Sequence, residues 1–349
     1  MQIIAIEQAL NLPRSILIDT RSPAEYEQGH IPGAVNVPLL ENDERAIVGT
    51  LYKQIGPEPA KRKGLEIVSG KLADMIERIT ALTSAAPTAA LVVYCWRGGM
   101  RSKSLLTILE LMGICGAQLQ GGYKAYRRYV QDALATFSLQ PQLFVLCGST
   151  GVGKTTLLQK LADRGLPVID LEGLANHRGS AFGHVGLGKP ATAQNFDALL
   201  LQTLTDLNEQ PLIFIECESK RVGNVYLPDP LHAAMQSARK ILVQASRQTR
   251  ARRLIEEYID SEKGNSPEIE ASIASLTKKL GKKRISQLLS DYAAGNLLSV
   301  TETLLEGYYD PLYGYETAAA EQFELLVDGE DLSNAADLIV KHVERLTRG

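Results

Sequence analysis

Two short stretches carry residue types whose spacing could do chemistry. In YCWRGGMRS, Cys95 is followed by Arg97, Gly98, Gly99 and Arg101. Flanking cations and the start of a helix both favour a thiolate over a thiol. The glycines permit a tight loop with its N–H groups turned inward, so the stretch reads as a nucleophile set in an anion cradle. In GSTGVGKTT, the residues Gly148, Ser149, Thr150, Gly151, Val152, Gly153, Lys154, Thr155 and Thr156 contain a full G-x-x-x-x-G-K-[ST] pattern. Backbone N–H groups and a helix N-terminus would hold phosphate oxygens there. Lys154 would reach the terminal phosphates and the Thr155 hydroxyl could ligate Mg²⁺, a candidate cofactor. The pattern predicts phosphate or diphosphate binding and leaves the rest of the ligand open, because no purine-reading motif accompanies it.

Further charged residues lie at suggestive places. Asp170, Glu216 and Glu218 stand at or just past the ends of apolar runs, where each could touch a metal or equally be solvated. ARKILVQASRQTRARRL holds six basic residues, among them Arg247, Arg250, Arg252 and Arg253, and no acid. KKLGKKR adds Lys282, Lys283 and Arg284. Such runs are phosphate or nucleic-acid contacts, or simply solvated helix faces.

The elements that must position these groups alternate. SILID, TAALVVYC and AQL read as strands, and SKSLLTILELMGI as a helix. The unit closes near Leu134 with the helix after the Gly121–Gly122 turn. Residues 135–141 form a connector, and LFVLC then starts a second strand–loop–helix series with LPVID, PLIFIE and KILVQ as further strands. From about residue 250 the period is mostly helical, broken at GNSP and YYDPLYGYE. The expectation is an α/β chain: a parallel sheet with helices on both faces over 1–134, then a phosphate-loop α/β domain over 142–349 with a helical C-terminal part.

Composition excludes some classes. The chain has 349 residues, formal net charge −3, 45% hydrophobic and 22% charged residues. It is not a basic nucleic-acid binder as a whole, and no apolar run is long enough for a membrane span. The N-terminal stretch lacks a signal-peptide pattern. Cys95, Cys115, Cys147 and Cys217 are widely spaced, so a reducing cytoplasm is expected. All but Cys95 read as structural.

LIDTRSPAEYEQGHIPGAVNVP with YCWRGGMRS resembles a rhodanese domain, a fold that passes sulfur or selenium through a cysteine. The resemblance implies structural roles for Asp19, Arg21 and His30. The five residues from Trp96 to Met100 between Cys95 and Arg101 make a loop one residue longer than in the usual sulfurtransferases. It is similar in length to those of rhodanese-like phosphatases and arsenate reductases, which suits a tetrahedral phosphorus donor. With QGGYKAYRR, DLEGLANHRGSAFG, ESKRVGNVYLP and YYDPLY, the full length resembles the bacterial tRNA 2-selenouridine synthases.

That resemblance implies S-geranylation of wobble 2-thiouridine in lysine, glutamate and glutamine tRNAs with geranyl diphosphate. Replacement of the geranylthio group by selenium from selenophosphate comes next, so an enzyme supplying selenophosphate is an implied partner. Cys95 would carry selenium as a perselenide or assist its delivery, and the phosphate loop would hold geranyl diphosphate. The basic runs would hold the tRNA backbone, and His177, Arg178 and Ser180 would belong to a substrate loop. A cytoplasmic monomer is expected. A nucleotide-dependent sulfur relay and a phosphatase or arsenate reductase are the competing readings.

Overall fold

The computed structural model describes residues 2–259, 266–313, 315 and 319–348. Packing divides the chain into two compact units, Met1–Ala135 with Thr192–Leu201, and Thr136–Ala191 with Gln202–Gly349.

In the first unit, β1 (Gln2–Ile4), β2 (Ser15–Asp19), β3 (Val35–Asn36), β4 (Ala90–Tyr94) and β5 (Ala117–Leu119) form a parallel sheet in the order β1-β5-β4-β2-β3. β4 is central and buried from Leu91 to Tyr94, which is why it reads as an unbroken apolar run. It delivers Cys95 to its C-terminal end. The Met100–Leu111 helix follows and buries Ser102, Leu105, Leu106 and Leu109, one face of a helical period. Ser102 is the single polar residue of that buried face.

The sequence boundaries assign 192–201 to the second domain; packing places this segment with the first unit. The reason is polar. Gln194 accepts from the Tyr123 hydroxyl at 3.0 Å, Asn195 from the His30 N–H at 3.1 Å, and Asp197 pairs with Arg127 at 2.7 Å. Apolar periodicity carries no trace of such contacts.

In the second unit, β6 (Gln142–Cys147), β7 (Val168–Ile169), β8 (Leu212–Glu216), β11 (Arg239–Gln244) and β12 (Leu325–Asp328) form a parallel sheet ordered β12-β11-β6-β8-β7. The short strands β9 (Arg221–Val222) and β10 (Val225–Tyr226) pair antiparallel beside it in sequence. Phe144, Leu146, Leu157, Phe214 and Ile339 pack together in the sheet's core, each contributing about 1.5–3 kcal/mol by burial. β6 is the middle strand and feeds the phosphate loop into the Lys154–Ala162 helix, while β8 alongside ends at Glu216. Ligands of open parallel sheets sit at such strand ends.

The C-terminal part is mostly helical, as expected, with two refinements. Leu325–Asp328 is a strand, added to the sheet edge by pairing with β11. YYDPLY is not a break: Leu305–Tyr309 forms a π-helical turn that runs into the Asp310–Tyr313 helix. Of the expected break at GNSP, Gly264 and Asn265 lie outside the described residues, as do Gly314 and Glu316 of YYDPLYGYE. Ser266 caps the Pro267–Ser275 helix by accepting from the Glu268 N–H, with proline at the first helical position. Among the described residues, no helix is long and apolar enough to cross a membrane.

Candidate functional site

The Cys95 side chain is buried, and its sulfur accepts hydrogen bonds from the Gly99 N–H at 3.2 Å and the Ser102 hydroxyl at 3.3 Å. Burial pushes the thiol up. The bonds from Ser102 and Gly99 and the nearby Arg101 charge outweigh it and hold the pKa below the ordinary thiol value. The Gln118 amide donates to the Ser102 oxygen at 2.8 Å and to the Gly98 and Gly99 carbonyls at 3.0 and 3.1 Å, so it fixes both the hydroxyl and the loop. Gly98 has φ +62, and a side chain there would run into the Leu119 carbonyl.

Arg101 does not join the cradle directly. Its guanidinium reaches Glu25 at 2.8 Å and acts on the sulfur only through space. Arg97 is exposed. Trp96 lies tilted against Tyr123, 5.8 Å between ring centroids. Arg21 is fully buried, chelates Asp19, donates to the Gly29 carbonyl and stacks its charge 3.9 Å over Tyr123. His30 stacks on Tyr26 and bonds the Tyr26 carbonyl. Asp19, Arg21 and His30 thus have structural work, as the rhodanese resemblance implies. Ser102 and Gln118 were missed. A serine at a buried position of an apolar helix stripe is the one signal that could have found Ser102.

The phosphate loop has the backbone its glycines allow, with φ +79 at Gly151 and +91 at Gly153. Lys154 donates to the Gly148 carbonyl at 3.1 Å. Burial pushes its ammonium down, and Tyr313, Glu218, Glu172 and Glu216 overcome this and hold it above the ordinary lysine value. The Thr155 hydroxyl donates to Glu172 at 3.0 Å and lies 3.5 Å from Glu216. Glu216 is fully buried and accepts from the Glu172 N–H at 2.8 Å. Burial, with repulsion from Glu172 and Asp170, pushes Glu216 well above the carboxylate range. Burial and Glu172 push Glu218 up to about 7. Asp170 caps the Leu171–Ala175 helix by accepting from the Gly173 N–H at 2.7 Å. Glu172 was missed because the nearness of β7 to β8 and the loop is a matter of strand order. Among the described residues, no three His, Cys, Asp or Glu side chains form a complete metal cage.

Of the expected basic contacts, Arg250 and Arg253 must be withdrawn. Arg250 is buried, chelates Asp310 at 2.7 and 2.9 Å and donates to the Thr150 carbonyl at 3.2 Å. Arg253 donates to the Val152 carbonyl at 2.8 Å and the Gly329 carbonyl at 2.6 Å. Both clamp the loop backbone from the Arg247–Ile259 helix. Arg247 is part-exposed near Glu306 at 3.5 Å. Arg252, Lys282, Lys283 and Arg284 are exposed. The last three open the Lys282–Ala293 helix, where the helix dipole disfavours cations.

In the HRGSAFG loop, Arg178 is held by Glu257 at 2.6 Å and the Val185 carbonyl at 2.8 Å, so it is not an open anion contact. The His177 ring accepts from the Gly179 N–H, and burial, with His184 and Arg221, lowers its pKa. Ser180 meets the Tyr258 hydroxyl at 3.5 Å. Gly179, at φ +64, lets the loop approach Glu218 closely. Cys147 and Cys217, read as inert, lie at neighbouring strand ends. Cys217 accepts from the Tyr315 hydroxyl at 3.4 Å, and its hydrogen bond with Cys147 holds its pKa down.

Comparison with known proteins fits this pair of sites. A family described as the tRNA 2-selenouridine synthase AAA domain matches residues 141–342, and the rhodanese-like domain family matches residues 5–129. A tRNA 2-selenouridine synthase of Nitrosomonas europaea is 36% identical over 305 residues, 85% of this chain and 78% of that one. Another, of Bdellovibrio bacteriovorus, is 34% identical over 345 residues, 87% and 88% of the two chains. With a rhodanese-like cysteine cradle, a phosphate loop ringed by carboxylates and relatives matched over most of their length, the chain belongs to the tRNA 2-selenouridine synthase family.

Proposed function

We propose that the chain converts wobble 2-thiouridine of tRNA to 2-selenouridine in two steps: S-geranylation with geranyl diphosphate, then exchange of the geranylthio group for selenium from selenophosphate. The observation that carries the reading is the presence in one chain of a buried cysteine bonded by the Gly99 N–H and the Ser102 hydroxyl, and of a phosphate loop that opens a helix at Lys154. In the first step the thiocarbonyl sulfur attacks the geranyl C1, the C–O bond breaks, the diphosphate leaves with the electron pair, and the alkylated base gives up its N3 proton to solvent. Lys154 and the loop N–H groups stabilise that developing charge.

Mg²⁺ suits this donor set. Thr155, Glu172 and Glu216 offer only oxygens, and Glu172 and Glu216 repel each other beside a single lysine. The ion would supply charge neutralisation of the diphosphate, held by these three side chains.

Alkylation turns a poor leaving group into a good one. Selenium adds at C2, the geranylthiolate departs and takes a proton, and water cleaves the P–Se bond to release phosphate. The Cys95 side chain, fixed by the Gly99 N–H and the Ser102 hydroxyl, assists delivery of the donor. A perselenide on Cys95 would require oxidation of the selenium, and selenophosphate brings no oxidant. Arg252, Lys282, Lys283 and Arg284 supply exposed charge for the tRNA backbone.

The test is to incubate the protein with geranyl diphosphate, selenophosphate and a 2-thiouridine anticodon stem-loop, then digest and weigh the nucleosides. Geranylthiouridine and selenouridine are expected. ATP hydrolysis that tracks turnover, with neither nucleoside formed, would favour a nucleotide-driven relay.

A further inference from the structure

The phosphate loop shares a wall with an apolar cavity. The enclosed space is about 70 Å³, with an open mouth, and Thr150 of the loop lines one side. Leu254, Ile269, Ile273, Leu304 and Tyr309 make much of the rest. The loop and the cavity are mechanically one object. The Arg247–Ile259 helix clamps the loop through Arg250 and Arg253, and one turn further on presents Leu254 to the cavity. Gly151 lies so close to Leu254 that a side chain on it would stand 2.9 Å from the leucine Cγ. Ser180 of the HRGSAFG loop and Tyr258 put hydroxyls on the lining and bond each other, so that loop forms part of the cavity wall.

A ligand gripped by its phosphates at the loop therefore has apolar surface next to it. A purine there would leave ring nitrogens and an amino group short of partners, because the wall surface is mainly apolar although several hydroxyls edge it. A hydrocarbon chain has no such need, and each buried methylene favours binding. Resting on the geranyl-transfer reading above, we infer that this cavity takes the hydrocarbon tail of the prenyl diphosphate, and that Ile273 and Leu304 set the chain length it accepts.

The test uses the full chain and two variants of opposite sense, Ile273→Phe to shorten the cavity and Leu304→Ala to enlarge it. Calorimetry measures affinity for inorganic, dimethylallyl, geranyl and farnesyl diphosphates, alongside the nucleoside digest. The wild type should bind geranyl diphosphate at least about tenfold more tightly than inorganic diphosphate, a modest share of what full tail burial could give. The wild type should also prefer geranyl to dimethylallyl diphosphate; Ile273→Phe should lose that preference while binding inorganic diphosphate within about twofold of wild type, and Leu304→Ala should gain on farnesyl. If Ile273→Phe fails to bind inorganic diphosphate, Leu304→Ala alone decides. Unchanged chain-length preference in the variant or variants that still bind, with geranylthiouridine still formed, overturns the cavity assignment and leaves the reaction standing. Absence of geranylthiouridine from the wild-type digest overturns the reaction reading itself.

Discussion

The cysteine cradle and the phosphate loop share a plan, a turn between a central parallel strand and a helix, but their electrostatics run in opposite directions. Around Cys95 the donors agree: an N–H and a hydroxyl point at one sulfur, and Gln118 holds the hydroxyl in place. The buried group ends more acidic than it would be in water. Around Lys154 the carboxylates Glu172, Glu216 and Glu218 crowd one ammonium, and Glu216 and Glu218 are pushed up. The first site stabilises a charge that the protein itself carries. The second crowds carboxylates whose charge must be balanced by a proton or a bound cation, so its behaviour should depend more on pH and on what is added.

The sharpest break is to silence one site and read the other. Lys154→Ala should cut geranyl transfer by on the order of 10²–10³-fold while a pre-geranylated stem-loop is still selenated. Cys95→Ala should abolish selenation and spare geranylation. If Cys95→Ala leaves selenation intact, the assignment of the cradle is wrong.

A second break is structural. Replacing Arg250 with Met leaves the buried Asp310 with only Arg247, 3.9 Å away, and should cost up to about 3–5 kcal/mol. The loss should appear as a lower urea midpoint for the second unit, with alkylation of Cys95 unchanged at low urea.

Ser102→Ala sharpens the cradle side. The midpoint of iodoacetamide reaction at Cys95 against pH should move up, since a donor to the thiolate is gone. In the native protein the folded thiol lies below its unfolded value. Between the two the unfolded chain binds the proton the folded chain has released, so stability rises with pH there and is lost as pH falls through the folded value. Ser102→Ala should flatten that slope.

The smallest effect concerns Glu218. Its folded pKa of about 7 lies above the ordinary carboxylate value of 4.5. The folded state then holds the extra proton, so stability falls as pH rises between those values. Thermal melts should show this fall, and Glu218→Gln should remove its share. Mg²⁺ with inorganic diphosphate should raise the melting temperature more at pH 8 than at pH 6.

Both loops were legible because each is local: a cysteine, glycines and arginines in one turn, and a full phosphate-loop pattern after an apolar strand. The features that escaped depend on long-range placement. Glu172 matters only because β7 lies beside β8. Arg250 and Arg253 read as open charge, since nothing near them in sequence announces Asp310 or the carbonyls of Thr150 and Val152. Ser102 was hidden inside a stripe that looks purely apolar. β12 is four residues with no strong alternation, and its partner β11 lies far away in sequence.

The π-helical turn at Leu305–Tyr309 has a consequence for how this segment can change. Such a turn accommodates one residue more than the α-helix around it. Deleting a single residue there would restore regular winding and leave the downstream helix nearly in phase, so the Asp310 carboxylate would stay on the Arg250 guanidinium that steadies the phosphate loop, whereas inserting one more would rotate that helix by about 100°. The stretch should therefore accept the loss of one residue but not the gain of one: its tolerance for changes of length has a direction.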